Sequence, residues 1–446
     1  MVLVSGIVLF SSCSDDKIDE SIPVNPVLKP FISVIAEDGE TTANASISDN
    51  ERTIVFDLNE FKSIKAVKVR LNLSKRAILV SPSDTVLTLD LREPHEITIN
   101  NLFDDVTYTI SALDFLSKTE LWRKKGSLMD FSLDNNRSIG ISGDYIVVHD
   151  RSAKGANRYY DIETGEKAGV LSNEGVSIDA LHMITDDAGN IVTGSFTPAL
   201  GSELKVFWWN GVKADPKLLL TWISDAPGNI GRKLYVKGDM NKLAYLYATV
   251  SDNNMFLRWE IKDGKVTSEI PEKIEFTHPN AGGWGTNGKV VPISLGKNSN
   301  YFINSSRKIR VTYMNGEDNT PIYNAVDNIQ EELDKWLGGG HAFDYVDMNG
   351  ERYMFLIEQD GTSWMSSILT LKAMMNDPSS IKGITDLVYY RKDKEWLDFP
   401  LDSALGGKNA NVTGEVKARV AADGKSAIVA FISTNGGVKV WKVATE

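Results

Sequence analysis

The feature that most constrains this chain is a repeat of about fifty residues in its C-terminal three quarters. RYYDIETGEKAGV, KVFWWNGVKADPKLLL, FLRWEIKDGKVTSEI and IRVTYMNGEDNTPIY share one design: a strand ending in an aromatic, a glycine-containing turn, then a second strand. The aromatics Tyr160, Trp209, Trp259 and Tyr313 recur at steps of 49, 50 and 54 residues. A period of this length, carried by strands joined through Asn-Gly or Asp-Gly turns, is that of a β-propeller blade. There a four-stranded sheet buries both faces only when neighbours stack on it.

A fifth copy follows as FDYVDMNGERYMFLIEQDG and SSILTLKAMMND, with DLVYYRK as its outer strand. The sixth, GEVKARVAADGKSAIVAFIS with GGVKVWKVATE, reaches the end of the chain without one. TELWRKKG, residues 119–126, is a spare strand ahead of the first copy. It is expected to complete the last blade and remove the open edges of a linear array. The alternative is a longer N-terminal domain. Residues 116–446 are therefore read as a six-bladed β-propeller, and all ten tryptophans fall within them.

Residues 30–115 show the period-2 alternation of half-buried strands in FISVIAEDG, RTIVFDL, AVKVRLNL, TVLTLDL, HEITINNL and VTYTISALD. Six strands are the content of a small Ig-like β-sandwich, here without the cysteine pair of a true immunoglobulin. The fold class is thus all-β, a small sandwich followed by a propeller.

Cys13 is the single cysteine, which rules out an internal disulfide and any zinc site built on paired cysteines. It follows the apolar run VLVSGIVLF, too short for the ~20 residues of a spanning helix. Phe10-Ser11-Ser12-Cys13 resembles a bacterial lipobox, whose cysteine is acylated and becomes the new N-terminus. Residues 1–12 are read as a lipoprotein signal whose natural start lies upstream, since no Lys or Arg precedes the apolar run. Residues 13–29 are read as a tether, with charge and two prolines. Ser14-Asp15-Asp16 resembles the acidic segment that exports Bacteroidetes lipoproteins to the outer face of the outer membrane. The whole order, lipid cysteine, acidic tether, Ig-like module and a propeller opening with LWRKKG, resembles a family of uncharacterised Bacteroidetes surface lipoproteins. That resemblance implies fold and place, and brings no catalytic motif.

Function has to be argued from the site. The net charge of −12 offers no basic stripe, which argues against a nucleic-acid partner. The histidines are scattered, without a pair at metal-ligand spacing; no metal and no cofactor is expected. Asp186-Asp187-Ala-Gly-Asn190 and Asp347-Met-Asn349-Gly350-Glu351 carry oxygens that suit calcium but read better as hairpin turns. His341 in GGGHAFDY stands beside three glycines that let a ligand approach the backbone, with Asp344 three residues on. Trp284 in NAGGWGTNG and Trp364 in EQDGTSWMSS sit among Gly, Asn, Thr and Ser, the setting in which a ring can stack on a sugar face; Trp336 in DKWLGGGH is grouped with them, though Glu331, Leu333 and Leu337 suggest a short helix there, and core packing is the competing reading for all three.

Trp284, Trp336, Trp364 and His341 are the candidate ligand-binding residues, with no catalytic residue assigned. The expected role is a non-catalytic, cell-surface binding module for a glycan or a surface protein, lipid-anchored to the membrane. The alternatives are a propeller enzyme that cleaves a polysaccharide, which would need two carboxyls about 5 to 10 Å apart, or a structural partner of an outer-membrane transporter.

Overall fold

The computed structural model describes residues 29–58, 61, 63–113, 116–132, 135–151, 157–278, 287–304, 311–324, 342–359, 366–375, 384–389, 395–396 and 414–445. The chain divides into two compact units, Met1–Ser117 and Lys118–Thr445.

In the first unit one sheet orders its strands Thr41–Asn44, Phe31–Asp38, Val67–Leu73 and Val86–Leu89. The other orders Ser46–Ser48, Thr53–Phe56, Asp105–Ala112, His95–Asn100 and Ile78–Ser81. Thr53–Phe56 runs parallel to Asp105–Ala112; the remaining pairs are antiparallel. The alternation read from the sequence decides what is inside. Val34, Ile54, Phe56, Val69, Ile97, Ile99 and Ile110 fill one core between the sheets, while their neighbours in sequence face outward. All six expected strands form. Three shorter ones, Thr41–Asn44, Ser46–Ser48 and Ile78–Ser81, add edges that a polar or exposed sequence did not announce.

The second unit is a run of six antiparallel sheets. The first holds Asn136–Ser142, Tyr145–Asp150, Arg158–Asp161 and Lys167–Val170; the second Ala180–Thr185, Ile191–Ser195, Glu203–Trp209 and Lys217–Ile223. The third holds Ile230–Asp239, Leu243–Val250 and Met255–Lys262, and its fourth position is split between Lys265–Val266 and Glu272–Glu275. The fourth holds Lys289–Pro292, Tyr301–Asn304, Thr312–Met314 and Pro321–Asn324. The fifth holds Ala342–Met348, Glu351–Gln359, Ser366–Met375 and Ile384–Tyr389, with Glu395–Trp396 pairing beside them. The sixth sheet joins Gly414–Val420, Ser426–Ser433 and Gly437–Thr445 to Leu116–Lys125, so the segment ahead of the first repeat supplies the outer strand of the last.

The inner strands of these sheets are buried on both faces, and the packing passes from each to the next. One core joins the first and second sheets, a second the second and third, and a third runs through the third, fourth and fifth. Phe355 of the fifth meets Phe431 of the sixth at 6.3 Å. Trp122, Ile432 and Val440 of the sixth pack with Ile139, Ile146 and Tyr160 of the first. The arrangement is propeller-like and all-β. The recurrent aromatics Tyr160, Trp209, Trp259 and Tyr313 all lie in third strands with their rings buried. Neighbouring innermost strands come close enough to dictate sequence: a Cβ on Gly140 would fall 2.6 Å from Thr185 Cγ2.

Candidate functional site

The innermost strands bring charged residues together that are far apart in the chain. Glu415, the second residue of its strand, is 1% exposed. Its Oε2 accepts from His182 Nε2 at 2.9 Å and pairs with Lys233 Nζ at 3.1 Å, while Oε1 takes Lys289 Nζ at 2.9 Å and the Val416 N–H at 3.1 Å. One carboxylate therefore ties together the second, third, fourth and sixth sheets. The ammonium groups find further acceptors in carbonyls, Lys233 at Gly414 O and Lys289 at Phe343 O.

The protonation states follow from these partners. Leu234 N–H points at His182 Nδ1, 3.3 Å away, so the ring proton sits on Nε2 and is donated to Glu415. Burial of the ring drives the His182 pKa down to about 4, against the pull of Glu415, so the imidazole is neutral at pH 7. Burial alone would raise the Glu415 carboxyl; Lys233 and Lys289 outweigh it and hold it well below the ordinary range. Burial lowers Lys233, with Glu415 opposing.

A second tier lies further along the innermost strands and brings in the fifth sheet. Asp344 Oδ2 accepts the Ala418 N–H at 3.0 Å and stands 3.5 Å from Lys417 Nζ, and Tyr235 OH donates to Asp344 Oδ1 at 3.4 Å. The Tyr235 ring has both Lys289 and Lys417 at 5.4 Å from its centroid, a cation–π arrangement.

Above this tier, where the innermost strands end, a cavity of about 280 Å³ opens, with Lys237, Asp187, Tyr345, Asp347, Lys417 and Arg419 among its lining residues. Lys237 Nζ bridges Asp187 Oδ2 and Tyr345 OH, each at 3.2 Å; burial would lower it, and these two partners raise it instead. Asp347 takes both arms of the Arg352 guanidinium, Nε at 2.6 Å and Nη2 at 2.7 Å. Arg419 differs from all of these. Its guanidinium is half-buried, makes no hydrogen bond or ion pair among the described residues, and is lowered by that burial, with the charge of Asp144 opposing.

The two turns that suit calcium are occupied by protein donors. Asp186 Oδ1 accepts the N–H groups of Ala188 and Asn190, and Oδ2 accepts Asn190 Nδ2 and the Met240 N–H, all within 2.7–2.9 Å. It closes its own hairpin and clasps the third sheet to the second. Asn349 and Gly350 have positive φ in the tight turn between Met348 and Glu351. Among the described residues no group of three or more His, Cys, Asp or Glu could hold a metal ion.

The remaining histidines described have local roles. His149 bonds Asn157 and Ala180 O, His278 meets Thr312, and His95 bonds Asp90 O. Trp284, Trp336, Trp364, His341 and Cys13 lie outside the described residues. Asp344, flagged only as a neighbour of His341, turns out to be buried in the second tier.

Sequence reasoning missed Glu415, Lys233, Lys289 and Arg419. One signal was present: Gly231-Arg232-Lys233, Gly288-Lys289 and Gly414-Glu415 each place a charge shortly after a glycine at the start of an inner strand.

A family profile described as Domain of unknown function (DUF8500) matches residues 129–437, well over half of the chain. The chain belongs to the DUF8500 family. The matched span runs through the first to sixth sheets and contains every residue of both tiers and of the cavity. Among solved structures, the chain is similar to a DUF4623 family protein from Bacteroides eggerthii DSM 20697, at 15% identity and a TM-score of 0.55, covering 93% of this chain and 98% of that one. That likeness is one of fold. AofleA from Arthrobotrys oligospora matches at 8% identity and a TM-score of 0.42, over 74% of this chain and 90% of that one, too loosely to carry an argument. No curated protein sequence matches. No helix among the described residues is long and apolar enough to cross a membrane.

Proposed function

We propose that this DUF8500 chain is a lipoprotein of the outer membrane, anchored through Cys13 and facing the cell exterior, and that it is a non-catalytic binding module for a glycan. In this reading an Ig-like module carries a six-bladed propeller, and the cavity at the end of the innermost strands receives the ligand. A surface protein is the other partner class the sequence allows; the cavity favours a small polar ligand, since it is concave and lined by donors and acceptors of both signs.

The observation that carries the binding reading is the state of the cavity's carboxylates. Acid–base hydrolysis needs one carboxyl held protonated beside another that is ionised. Asp186 is the one cavity acid that burial pushes up, yet its two oxygens already accept four N–H donors, which leaves no lone pair toward which a carboxyl proton could be shared. Asp187, Asp344 and Asp347 are each held by a cation. Such a set orients hydroxyl groups well and moves protons poorly.

The test is a panel of surface polysaccharides and oligosaccharides presented to the full chain, reading both retention and release of new reducing ends. Retention without cleavage is expected; new reducing ends would overturn the non-catalytic reading. Trp284, Trp336, Trp364 and His341 belong to the proposal as further ligand contacts. Trp284→Ala and Trp364→Ala should weaken retention while changing stability by no more than about 0.5 kcal/mol. A loss of about 3 to 5 kcal/mol would mark these rings as core instead.

A further inference from the structure

The axial cavity has an unusual imbalance of satisfied and unsatisfied groups. Asp187, Asp344 and Asp347 are tied to cations and Asp186 to four N–H donors, yet the guanidinium of Arg419, with five N–H donors, has no hydrogen-bond or ion-pair partner among the described residues. Asp144 opposes the cost of partly burying this permanent cation through its charge alone, without a direct contact among the described residues, so an anionic ligand would supply the missing partner. The planar fork of arginine matches a carboxylate in a bidentate pair. Lys417, whose Asp344 contact is long at 3.5 Å, adds a second positive charge in the same cavity.

The acceptors have the complementary vacancy. Among the described residues the partners of Asp187, the Lys237 ammonium and the Gly238 N–H, both bind Oδ2 and Oδ1 takes no hydrogen bond; the side chain is 41% exposed. A ligand that fits must therefore carry one anionic group for Arg419 and hydroxyl donors for Asp187. Acetate or a peptide carboxylate supplies the first without the second. A phosphate dianion brings more negative charge than a cavity containing Asp187, Asp344 and Asp347 favours. Neutral sugars supply hydroxyls and leave Arg419 unpaired. At about 280 Å³ the space lies just below the ~300–1,000 Å³ of sites for drug-sized ligands, room for one ring rather than a chain.

We propose that this cavity is a subsite for a single sugar acid, a hexuronate, whose carboxylate pairs with Arg419 and whose hydroxyls are shared with Asp187 and Lys417. This rests on the glycan-binding reading and names its ligand class.

Calorimetric titration of the full chain at low ionic strength tests it, with glucuronate and galacturonate against glucose, galactose and acetate. A hexuronate should bind saturably, while acetate and the neutral sugars bind at least about 10-fold more weakly. Removing a charge-assisted pair should weaken the hexuronate by roughly 10-fold or more in Arg419→Met, with Arg419→Lys between that variant and wild type. Arg419→Met should melt like wild type, because no intramolecular bond is lost.

Neutral sugars that bind as tightly as the hexuronate, with Arg419→Met unaffected, would overturn acid recognition and leave the glycan reading standing. Acetate matching the hexuronate would overturn the sugar assignment. Retention of panel glycans equally by wild type and Arg419→Met, without hexuronate binding, would move the glycan site elsewhere. If neither hexuronate nor any panel glycan binds, both proposals fall.

Discussion

Glu415→Gln is the sharpest test of how the innermost strands are held. The substitution keeps shape and removes charge. Both ends of the carboxylate face donors, Lys289 and the Val416 N–H at Oε1, His182 and Lys233 at Oε2. An amide turned either way therefore aims its NH₂ at a donor, and no rotation relieves the clash. The variant also leaves the Lys233 and Lys289 side chains, 5% and 3% exposed, without their counter-charge. Removing one partner of a buried ion pair costs about 3 to 5 kcal/mol.

Converting that cost to a melting shift uses the unfolding entropy of about 2.1 cal/mol/K per residue. For a unit of roughly 330 residues this gives about 0.7 kcal/mol/K, hence a drop of about 4 to 7 °C. Thermal unfolding of the full chain at pH 7, followed by circular dichroism, reads it. Because the pairs are buried, the loss should persist in high salt, where surface ion pairs fade. A triple variant, Lys233→Met with Lys289→Met and Glu415→Leu, should recover most of the loss, since apolar replacement of a whole buried ionic group is often neutral. A Glu415→Gln chain melting within about 1 °C of wild type would refute the view that this carboxylate clamps four sheets.

Acid should weaken the chain before its carboxylates titrate: His182 is neutral in the fold to about pH 4 but gains its proton near 6.5 when unfolded, so stability falls as pH drops through that window, by about 3 kcal/mol from this group. Burial lowers His149 and His278 in the same direction, so the reading is the difference between wild type and His182→Gln in urea midpoints from pH 7 to 4.5, the variant being flatter; equal slopes would refute the assignment. A chain beginning at residue 128 lacks Leu116–Lys125 and the Trp122 ring that donates to Ile162 O at 2.8 Å, and should unfold without a cooperative transition, whereas one beginning at residue 116 should retain it. Cys13→Ala should shift the protein from the membrane fraction to the soluble periplasmic fraction; unchanged membrane association would refute the anchor.

The strands of this chain were legible because their burial is regular. In the first unit one face is wet, so Val67–Leu73 alternates and announces itself. In the second unit both faces are covered, so Leu243–Val250 and Ser426–Ser433 read as near-continuous apolar runs, and the tight turns and recurrent aromatics had to set the frame. The pairing of Leu116–Lys125 with the C-terminal strand was also readable, as a strand without a blade matched to a blade without a strand. What escaped was the fourth position of the third sheet, split in two after Lys262, because turn and strand residues alternate there without a hydrophobic run.

The charged residues on the innermost strands were hidden for a different reason. A lysine within an apolar strand, such as Lys289 in KVVP, looks like a solvated edge, because a single chain segment cannot show that Glu415 stands opposite, 126 residues away. Sequence exposes neighbours at periods of two and of about fifty, while the innermost strands bring together one residue from each of several repeats. The tryptophans read as sugar platforms were chosen because their own neighbours are polar, a local criterion. Arg419 would never be found that way: Ala418 and Val420 flank it, and the role proposed for it rests on what the second, third and fifth sheets place in the same cavity. In a fold built from repeats, local pattern specifies each sheet. Chemistry at the axis is specified by the differences between repeats, and the strand starts that break the apolar rule, at His182, Lys233, Lys289 and Glu415, are where those differences concentrate.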